Sequence, residues 1–391
     1  MYVTHVITRL IVGGAQENTV SSVLGLRQRE GLKVDLISGP TNGPEGTLEP
    51  LFAAHPGCLS VEPDLLRPVR PLADWRGYRH LRDRFRRTRP DVVHTHSGKA
   101  GFLGRLAAHR AGVPWIVHTI HGPSFGPFQG AVANAAFTWA ERRAGAVTDH
   151  FVVVAEAMTR QYLTAGIGRP QDYTRIFSGF DLNPYLTAQR DPALAARLGL
   201  KPGDFVVGTI ARLFELKGHD DLLAVAPELV RRWPQLKFLW VGDGPWRARL
   251  EARAQEPDLR GHIVFAGLVP PTAVAGLVGQ MDALVHLSRR EGLPRALPQA
   301  LAAGKPVVAF DCDGAGEVCR NGETGFLIPV GDLPGLKESL GQLMADPELR
   351  HRLGETGRQF VRDRFSVEVM VDELAALYRR LAQSRSSRVV S

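Results

Sequence analysis

Short, unbroken apolar runs recur along the whole chain, with helically spaced segments between them. Residues 3–10, 34–38, 92–96, 115–120 and 151–154 are strand candidates in a first half; 205–211, 238–241, 263–265, 283–287, 307–310 and 326–329 follow in a second. A strand wetted on one face alternates apolar with polar residues. Continuous Val, Ile, Leu and Phe instead fit strands buried on both faces, as in parallel sheets covered by helices on each side. The pattern predicts an α/β protein of two doubly wound units, each taking its ligand at the carboxyl ends of its strands. A length of 391 residues also exceeds what one core usually organises. The polar, proline-bearing segment 178–203 separates the halves, with the linker expected near 181–185 and the units at 1–180 and 181–365. Beyond Asp332 the pattern turns helical and ends in an amphipathic helix over 366–383 with Met370, Leu374, Leu377 and Tyr378 on its apolar face; residues 384–391 are expected to fray.

Charged residues make up 23% and hydrophobic ones 44%, the balance of a soluble globular protein. No run of about 18 apolar residues is present, and the start, Met1 to Val12, lacks the basic region of a secretion signal and reads as a first strand. Three cysteines, Cys58, Cys312 and Cys319, argue for a reducing compartment, hence a cytoplasmic location, and against a disulfide framework or a cysteine metal site. The net charge of +8 and pI near 9.7 point to an anionic partner. Much of the excess is local: residues 74–89 hold Arg76, Arg79, Arg82, Arg84, Arg86, Arg87 and Arg89 against Asp74 and Asp83. A solvated helix face accounts for them. So does peripheral docking at the inner face of an anionic membrane, where each basic residue adds about 1 kcal/mol. No nucleic-acid-binding motif accompanies them, so nucleic acid is not an expected partner. The oligomeric state is not legible.

The densest stretch is 283–310, ALVHLSRREGLPRALPQALAAGKPVVAF. A strand leads into a loop bearing Glu291; Pro298 belongs in the first turn of the helix that follows, and Gly304 with Pro306 ends that helix. A carboxylate for sugar hydroxyls, beside a helix start that favours a diphosphate, suggests a nucleotide-sugar site. The segment 208–218, GTIARLFELKG, repeats the order strand, loop, helix. Arg212 offers a planar fork of donors and Lys217 a point charge for the same diphosphate, although each alone reads as a surface cation. Gly13 and Gly14 follow the first strand and open a helix, where paired glycines let backbone approach a ligand or simply make a tight turn. Neither they nor Gly242-Asp-Gly244 complete Gly-x-Gly-x-x-Gly, so a nicotinamide-type dinucleotide is not expected.

Histidines close two strands, in His94-Thr-His96-Ser-Gly-Lys99-Ala-Gly101 and His118-Thr-Ile-His121-Gly122. Four imidazoles at a sheet edge could ligate a metal, but no carboxylate array accompanies them. The alternative is a polar cleft wall in which one or two touch substrate, with His94 and His118, flanked by apolar residues, serving structure. Asp311-Cys-Asp313 looks like a metal-binding Asp-x-Asp, yet its place at a strand end is explained by loop and capping duties. No metal is expected.

In order and spacing, Gly13-Gly14-Ala-Gln, the two histidine segments, Ala-Arg212-Leu with Lys217-Gly218, Val-Gly242-Asp-Gly244-Pro, Phe-Ala-Gly267, and Ser288 with Glu291-Gly292 resemble a family 4 glycosyltransferase of the GT-B fold over essentially the whole chain. The resemblance implies two Rossmann-like domains facing across a cleft, an acceptor domain at 1–180 and a donor domain at 181–365, with the last helix crossing back to the first. It implies retaining transfer of a sugar from a nucleotide sugar, usually a UDP-sugar, to a hydroxyl, with no required metal or other cofactor. By the same resemblance Arg212 and Lys217 hold the donor diphosphate, Glu291 with Gly292 and Leu293 meets the donor sugar, and Gly267, Leu268 and Val269 meet the base. Gly13 and Gly14 close over the phosphates, and His121 lines the reaction centre. His121, Glu291, Arg212 and Lys217 are the residues expected to carry the reaction. His96, Lys99 and His121 lie in the domain that would take a glycan or lipid-linked acceptor.

Two positions depart from the family's pattern. The second of its paired glutamates, eight residues on, is Gln299 here; it usually meets the ribose, and Gln can still accept one hydrogen bond and also donate. Glu291-Gly-Leu-Pro stands where Glu-Gly-Phe-Gly is common, with Arg295 as an added cation. No nucleophile is evident, so attack on the face of the departing diphosphate is expected, its charge met by Arg212, Lys217 and helix ends while the domains close about 181–185. Rival readings are a nucleotide-sugar epimerase of the same architecture, a metal hydrolase built on the histidines, and a binding protein without turnover, the last suggested by Gln299.

Overall fold

The computed structural model describes residues 1–42, 46–96, 98–126 and 128–389, with side chains as far as 384. The chain divides into two compact units, residues 1–180 with 367–391, and residues 181–366. The first is built on a parallel sheet of β1 (Tyr2–Ile7), β2 (Lys33–Ser38), β3 (Leu59–Val61), β4 (Val92–His96), β5 (Trp115–Ile120), β6 (His150–Val153) and β7 (Tyr173–Arg175), in the order β3-β2-β1-β4-β5-β6-β7. Its helices are α1 (Gly14–Leu26), α2 (Pro71–Thr88), α3 (Gly98–Ala111), α4 (Ala131–Gly145) and α5 (Glu156–Thr164).

The second unit carries β8 (Phe205–Ile210), β9 (Leu236–Val241), β10 (Ile263–Gly267), β11 (Ala283–His286), β12 (Val307–Phe310) and β13 (Gly325–Ile328), all parallel, in the order β10-β9-β8-β11-β12-β13. Its helices are α6 (Asn183–Leu186), α7 (Pro192–Arg197), α8 (His219–Arg232), α9 (Arg247–Ala254), α10 (Pro271–Gly279), α11 (Ala296–Ala302), α12 (Leu333–Ala345) and α13 (Pro347–Arg364). The last helix, α14 (Val367–Val389), returns to the first unit. Among the described residues no helix is long and apolar enough to cross a membrane.

Both sheets are covered on both faces, which is why their strands read as unbroken apolar runs. In the first unit Val3, Ile7, Val92 and Val117 join a core with Val20, Val23 and Leu26 of α1 and with Val371, Leu374 and Tyr378 of α14. Val6, Val93 and Ile116, one residue out of phase, join a second core with Leu81 and Phe85 of α2 and Leu103 of α3. The period of two along each strand thus sorts its side chains between two helical layers. Helix α14 lies close on α1 because a glycine permits it: a Cβ on Gly25 would fall 2.5 Å from Val371 Cγ2.

Several boundaries differ from expectation for local reasons. Strand β1 stops at Ile7 rather than reaching residue 10, because the Leu10 backbone turns to Thr41 Oγ1 (3.0 Å) and to the Leu48 amide (2.7 Å). The short strands β3 and β7 have no apolar run to announce them; they sit at the sheet edges with half-buried or exposed residues. Helix α6 occupies the segment expected as linker. Helix α14 continues past 383 as far as Val389, where fraying was expected.

Candidate active site

At the carboxyl ends of β8 and β11 two loops lock together. Gly218 adopts φ +70°, and a Cβ there would lie 2.1 Å from the Leu287 carbonyl oxygen, so glycine alone lets the chain after Lys217 rest on the end of β11. The Arg289 amide and the Ser288 hydroxyl both donate to the Leu216 carbonyl, at 2.9 and 3.2 Å. Lys217 Nζ thereby reaches Glu291 and donates to its Oε1. His286 Nε2 stands 3.3 Å from the same oxygen. From the other side Asp313, itself in the left-handed region at φ +48°, accepts the Glu291 amide at 2.7 Å, and the Gly314 amide donates to Gly292 O at 3.1 Å. Burial alone would raise the Glu291 carboxyl; the imidazole of His286 and the ammonium of Lys217 outweigh it and hold the group down to about 2. Glu291 is therefore an ionised, acceptor-only group, suited to hydroxyl donors.

Arg212 is exposed, with its guanidinium 5.5 Å from the Phe214 ring centre. Its loop is fastened to the next one by bonds from the Leu213 amide to Asp243 O and from the Trp246 amide to Leu213 O, both 3.0 Å. Gly242 and Gly244 make that fastening possible, since Cβ atoms there would lie 2.1 Å from Ala211 O and 2.4 Å from Leu213 O. Gly267, at φ +75°, accepts the Gly242 amide at 2.9 Å. Leu268 beside it is 76% exposed; Val269, Gly292 and Leu293 are half-buried. Helix α11 begins at Ala296 with Pro298 in its first turn. Gln299 on that helix donates from Nε2 to the Tyr185 hydroxyl at 2.8 Å, which leaves Oε1 as its acceptor. All these groups belong to the second unit.

The other site candidates lie in the first unit. Gly13 precedes α1 and Gly14 opens it; φ 173° at Gly13 is extended backbone that any residue adopts, and a Cβ there would meet Gln16 Oε1 at 2.9 Å. Lys99 is bound to Asp74 Oδ1 at 2.6 Å and to Pro68 O, so its ammonium ties the start of α3 to α2. Much of the arginine charge on α2 is similarly engaged: Arg76 with Asp64 at 2.7 Å, Arg82 with Asp83 at 2.7 Å, Arg84 with Asp35 at 3.2 Å. Beside them Val69, Leu72 and Trp75 are exposed, and Arg79 lies over the Trp75 ring at 4.7 Å.

Strand register decides the fate of the histidines. His5 pairs with His94 across β1 and β4, and His96 with Thr119 across β4 and β5. The period of two puts His5, His94, His96 and Thr119 on the α14 face of the sheet. His118 points to the opposite face, where its Nδ1 pairs with Thr95 Oγ1 at 2.8 Å and its Cε1 would be 2.6 Å from a Cβ on Gly101 of α3. The four histidines of the two motifs therefore do not converge, and the metal-hydrolase reading loses its ligand set. In their place His5, which sequence reasoning passed over, joins His94 and His96, with one ring nitrogen from each lying within 4.8 Å of the others. These nitrogens are already occupied. His121 Nε2 meets His96 Nδ1 at 3.1 Å, His96 Nε2 meets His5 Nδ1 at 2.9 Å, and His5 Nε2 meets the Tyr378 hydroxyl at 3.3 Å. The same hydroxyl meets His94 Nδ1 at 2.5 Å, and His94 Nε2 meets Thr119 Oγ1 at 2.6 Å. Burial pushes His5 down to about 3 and His121 to about 4, and holds His94 and His96 well below the ordinary imidazole value, so the whole line is neutral at neutral pH.

Residues 13–177 match a glycosyl transferase 4-like domain and residues 191–360 the glycosyl transferases group 1 model. EpsD of Bacillus subtilis strain 168 is 30% identical over 311 residues, 77% of this chain and 79% of its own. The GDP-mannose-dependent alpha-(1-6)-phosphatidylinositol monomannoside mannosyltransferase of Mycolicibacterium smegmatis is 30% identical over 298 residues, 73% of this chain and 75% of its own. Among solved structures, HepE of Anabaena in complex with UDP superposes with a TM-score of 0.80 at 22% identity, covering 97% of this chain and 100% of that one. The two doubly wound sheets have the GT-B fold. The chain belongs to the group 1 glycosyltransferases, with a 4-like domain at its N-terminal end.

Proposed function

We propose that this glycosyltransferase moves a sugar from a UDP-sugar, with retention and without a required metal, to a hydroxyl of a glycan or lipid-linked acceptor. The observation that carries the reading is the Lys217–Glu291 pair at the ends of β8 and β11, with the exposed Arg212 in the same β8 loop as Lys217. An ionised carboxylate accepts hydrogen bonds from the donor sugar's hydroxyls; Lys217 and Arg212 supply the positive charge that a departing diphosphate needs. Gln299 Oε1 is the acceptor for a ribose hydroxyl, and His121 the group that serves the reacting sugar. UDP is favoured by the complex of HepE, while the mannosyltransferase relative makes GDP the competing base. A lipid-linked acceptor fits Val69, Leu72 and Trp75 exposed among the arginines of α2, a composition suited to an anionic membrane surface.

A thermal-shift screen of UDP- and GDP-sugars tests the donor, since a ligand at 100 times its Kd stabilises by about 2.7 kcal/mol. Transfer from the stabilising donor should persist in EDTA and fail in Arg212→Ala and Lys217→Ala. Full transfer by both variants would refute the assignment. Conversion of the donor sugar to an isomer with no acceptor present, read by NMR, would instead make the enzyme an epimerase. Vesicle binding that weakens with salt supports the membrane surface.

A further inference from the structure

We propose that Tyr378, His5 and His96 are positioning residues that hold His121 in a single tautomer, with Nδ1 bare and Nε2 protonated. The catalytic consequence rests on the proposed function; the tautomer itself does not.

A neutral imidazole has one N–H and one bare nitrogen. Rings joined nitrogen to nitrogen must therefore share one direction of donation, and no single ring can switch alone. The line from His121 through His96 and His5 to Tyr378, then to His94 and Thr119, meets that condition at every junction. Its direction is set at the phenol, which has one proton to give and stands between two imidazoles. Hydroxyl donors make shorter hydrogen bonds than N–H donors. Neutral His94 can accept at only one nitrogen, so either Tyr378 donates to it and His94 Nε2–H donates to Thr119, or Thr119 donates and the phenol proton is turned to His5. The second order would place a hydroxyl donor on the longest contact of the line, 3.3 Å; the first instead makes that contact His5 Nε2–H donating to the phenol oxygen. Donation then runs from His96 Nε2–H to His5 Nδ1 and from His121 Nε2–H to His96 Nδ1. His121 Nδ1, which has no hydrogen-bond partner among the described residues, is left as an acceptor, the form that can take a hydrogen bond from a sugar hydroxyl. Helix α14 supplies the phenol, so the chain's C-terminal helix determines the chemistry of a loop histidine in the first domain. A metal on His5, His94 and His96 is the competing use of the same nitrogens, but it would displace hydrogen bonds that already occupy them and finds no carboxylate among them.

The test is ¹⁵N NMR of the histidine rings in the full chain, without substrate. The wild type should show a pyridine-type Nδ1 and a pyrrole-type Nε2 for His121. Tyr378→Phe keeps the ring and removes the hydroxyl; it should shift His121 to averaged, two-tautomer signals and lower kcat by about tenfold at unchanged donor KM, the share of a general acid–base contribution that tautomer disorder can remove. Should that variant not fold, Thr119→Val cuts the far end and should alter His94 and His121 in the same sense. A pyrrole-type His121 Nδ1 in the wild type, His121 signals unmoved by either substitution, or stoichiometric zinc in the purified protein would overturn the proposal. A wild type with the expected ring signals but no transfer from any donor would defeat the functional reading and leave the tautomer standing.

Discussion

Glu291 shows how one carboxylate is prepared by residues distant in sequence. Its partner Lys217 lies 74 residues earlier, and the contact exists because Gly218 lets one loop rest on another. Lys217→Ala would leave a largely buried carboxylate without its ammonium partner, with an expected stability loss of about 1–3 kcal/mol and a fall in transfer of about 10²–10³-fold. Urea denaturation and initial rates check the two separately, and a variant that lost activity at full stability would show the pair to matter for donor charge only. Gln299 makes a finer case. In Gln299→Glu the Tyr185 hydroxyl can turn from accepting to donating, so the fold should be unchanged while a ribose contact gains charge, tightening the donor by about 3- to 10-fold. Donor affinity that did not move in calorimetry would remove Gln299 from the ribose. Arg212, Lys217 and Glu291 were legible as candidates because each sits in a short local pattern after a strand; Gln299, inside α11, came only from the family's spacing of its paired glutamates. The pairing of Lys217 with Glu291 was not legible, because it depends on which strands are neighbours. His5 was missed for the same reason: one histidine in an apolar strand is ordinary until the β1–β4 register sets it beside His94.

Among the elements, glycine positions separate backbone conformation from packing. Gly218 and Gly261 both adopt positive φ, at 70° and 79°, but a Cβ on Gly218 would strike Leu287 O at 2.1 Å whereas one on Gly261 meets nothing within 4 Å. Gly261→Ala should therefore cost only the left-handed backbone, about 1–2 kcal/mol. Gly218→Ala must also push the Lys217 loop off β11, so it should cost more and abolish the stabilisation that a donor gives the wild type. Equal losses in the two variants, with donor binding kept, would mean that the loops of β8 and β11 are not interlocked through this glycine. The central strands were readable from their apolar runs, since both faces of each are buried. Strands β3 and β7 were not, being short edge elements whose residues are half exposed, and α14 outran its expected end because helical hydrogen bonding does not need the apolar stripe that marked residues 366–383.

At the scale of the molecule, neutral histidines are buried unevenly between the two units. Burial holds His5 at about 3 and His150 at about 4, and keeps His94, His96 and His118 well below the ordinary value, all in the first unit; the second has His219, held at about 4. An unfolded histidine takes up its proton near pH 6.5. Between that pH and the lower folded values the unfolded state binds more protons, so stability rises with pH there and is lost as the solution is acidified through about 6.5. Each such imidazole steepens the dependence by up to about 1.4 kcal/mol per pH unit. Glu291 acts in the same sense but lower, its contribution lost only as pH falls from about 4.3 toward its folded value of about 2. The exposed ion pairs on α2 add little at any pH. Acid should therefore loosen the first unit ahead of the second, between pH 6.5 and 5, before most carboxylates titrate. Hydrogen exchange read by mass spectrometry at pH 7.5, 6 and 5, corrected for intrinsic rates, should show protection falling in β1, β4 and β5 while β8, β9 and β11 hold. Protection lost equally from both sheets, or only below pH 4.5, would mean that these imidazoles are not kept neutral by the fold, and the line from His121 to Thr119 would lose its basis with them.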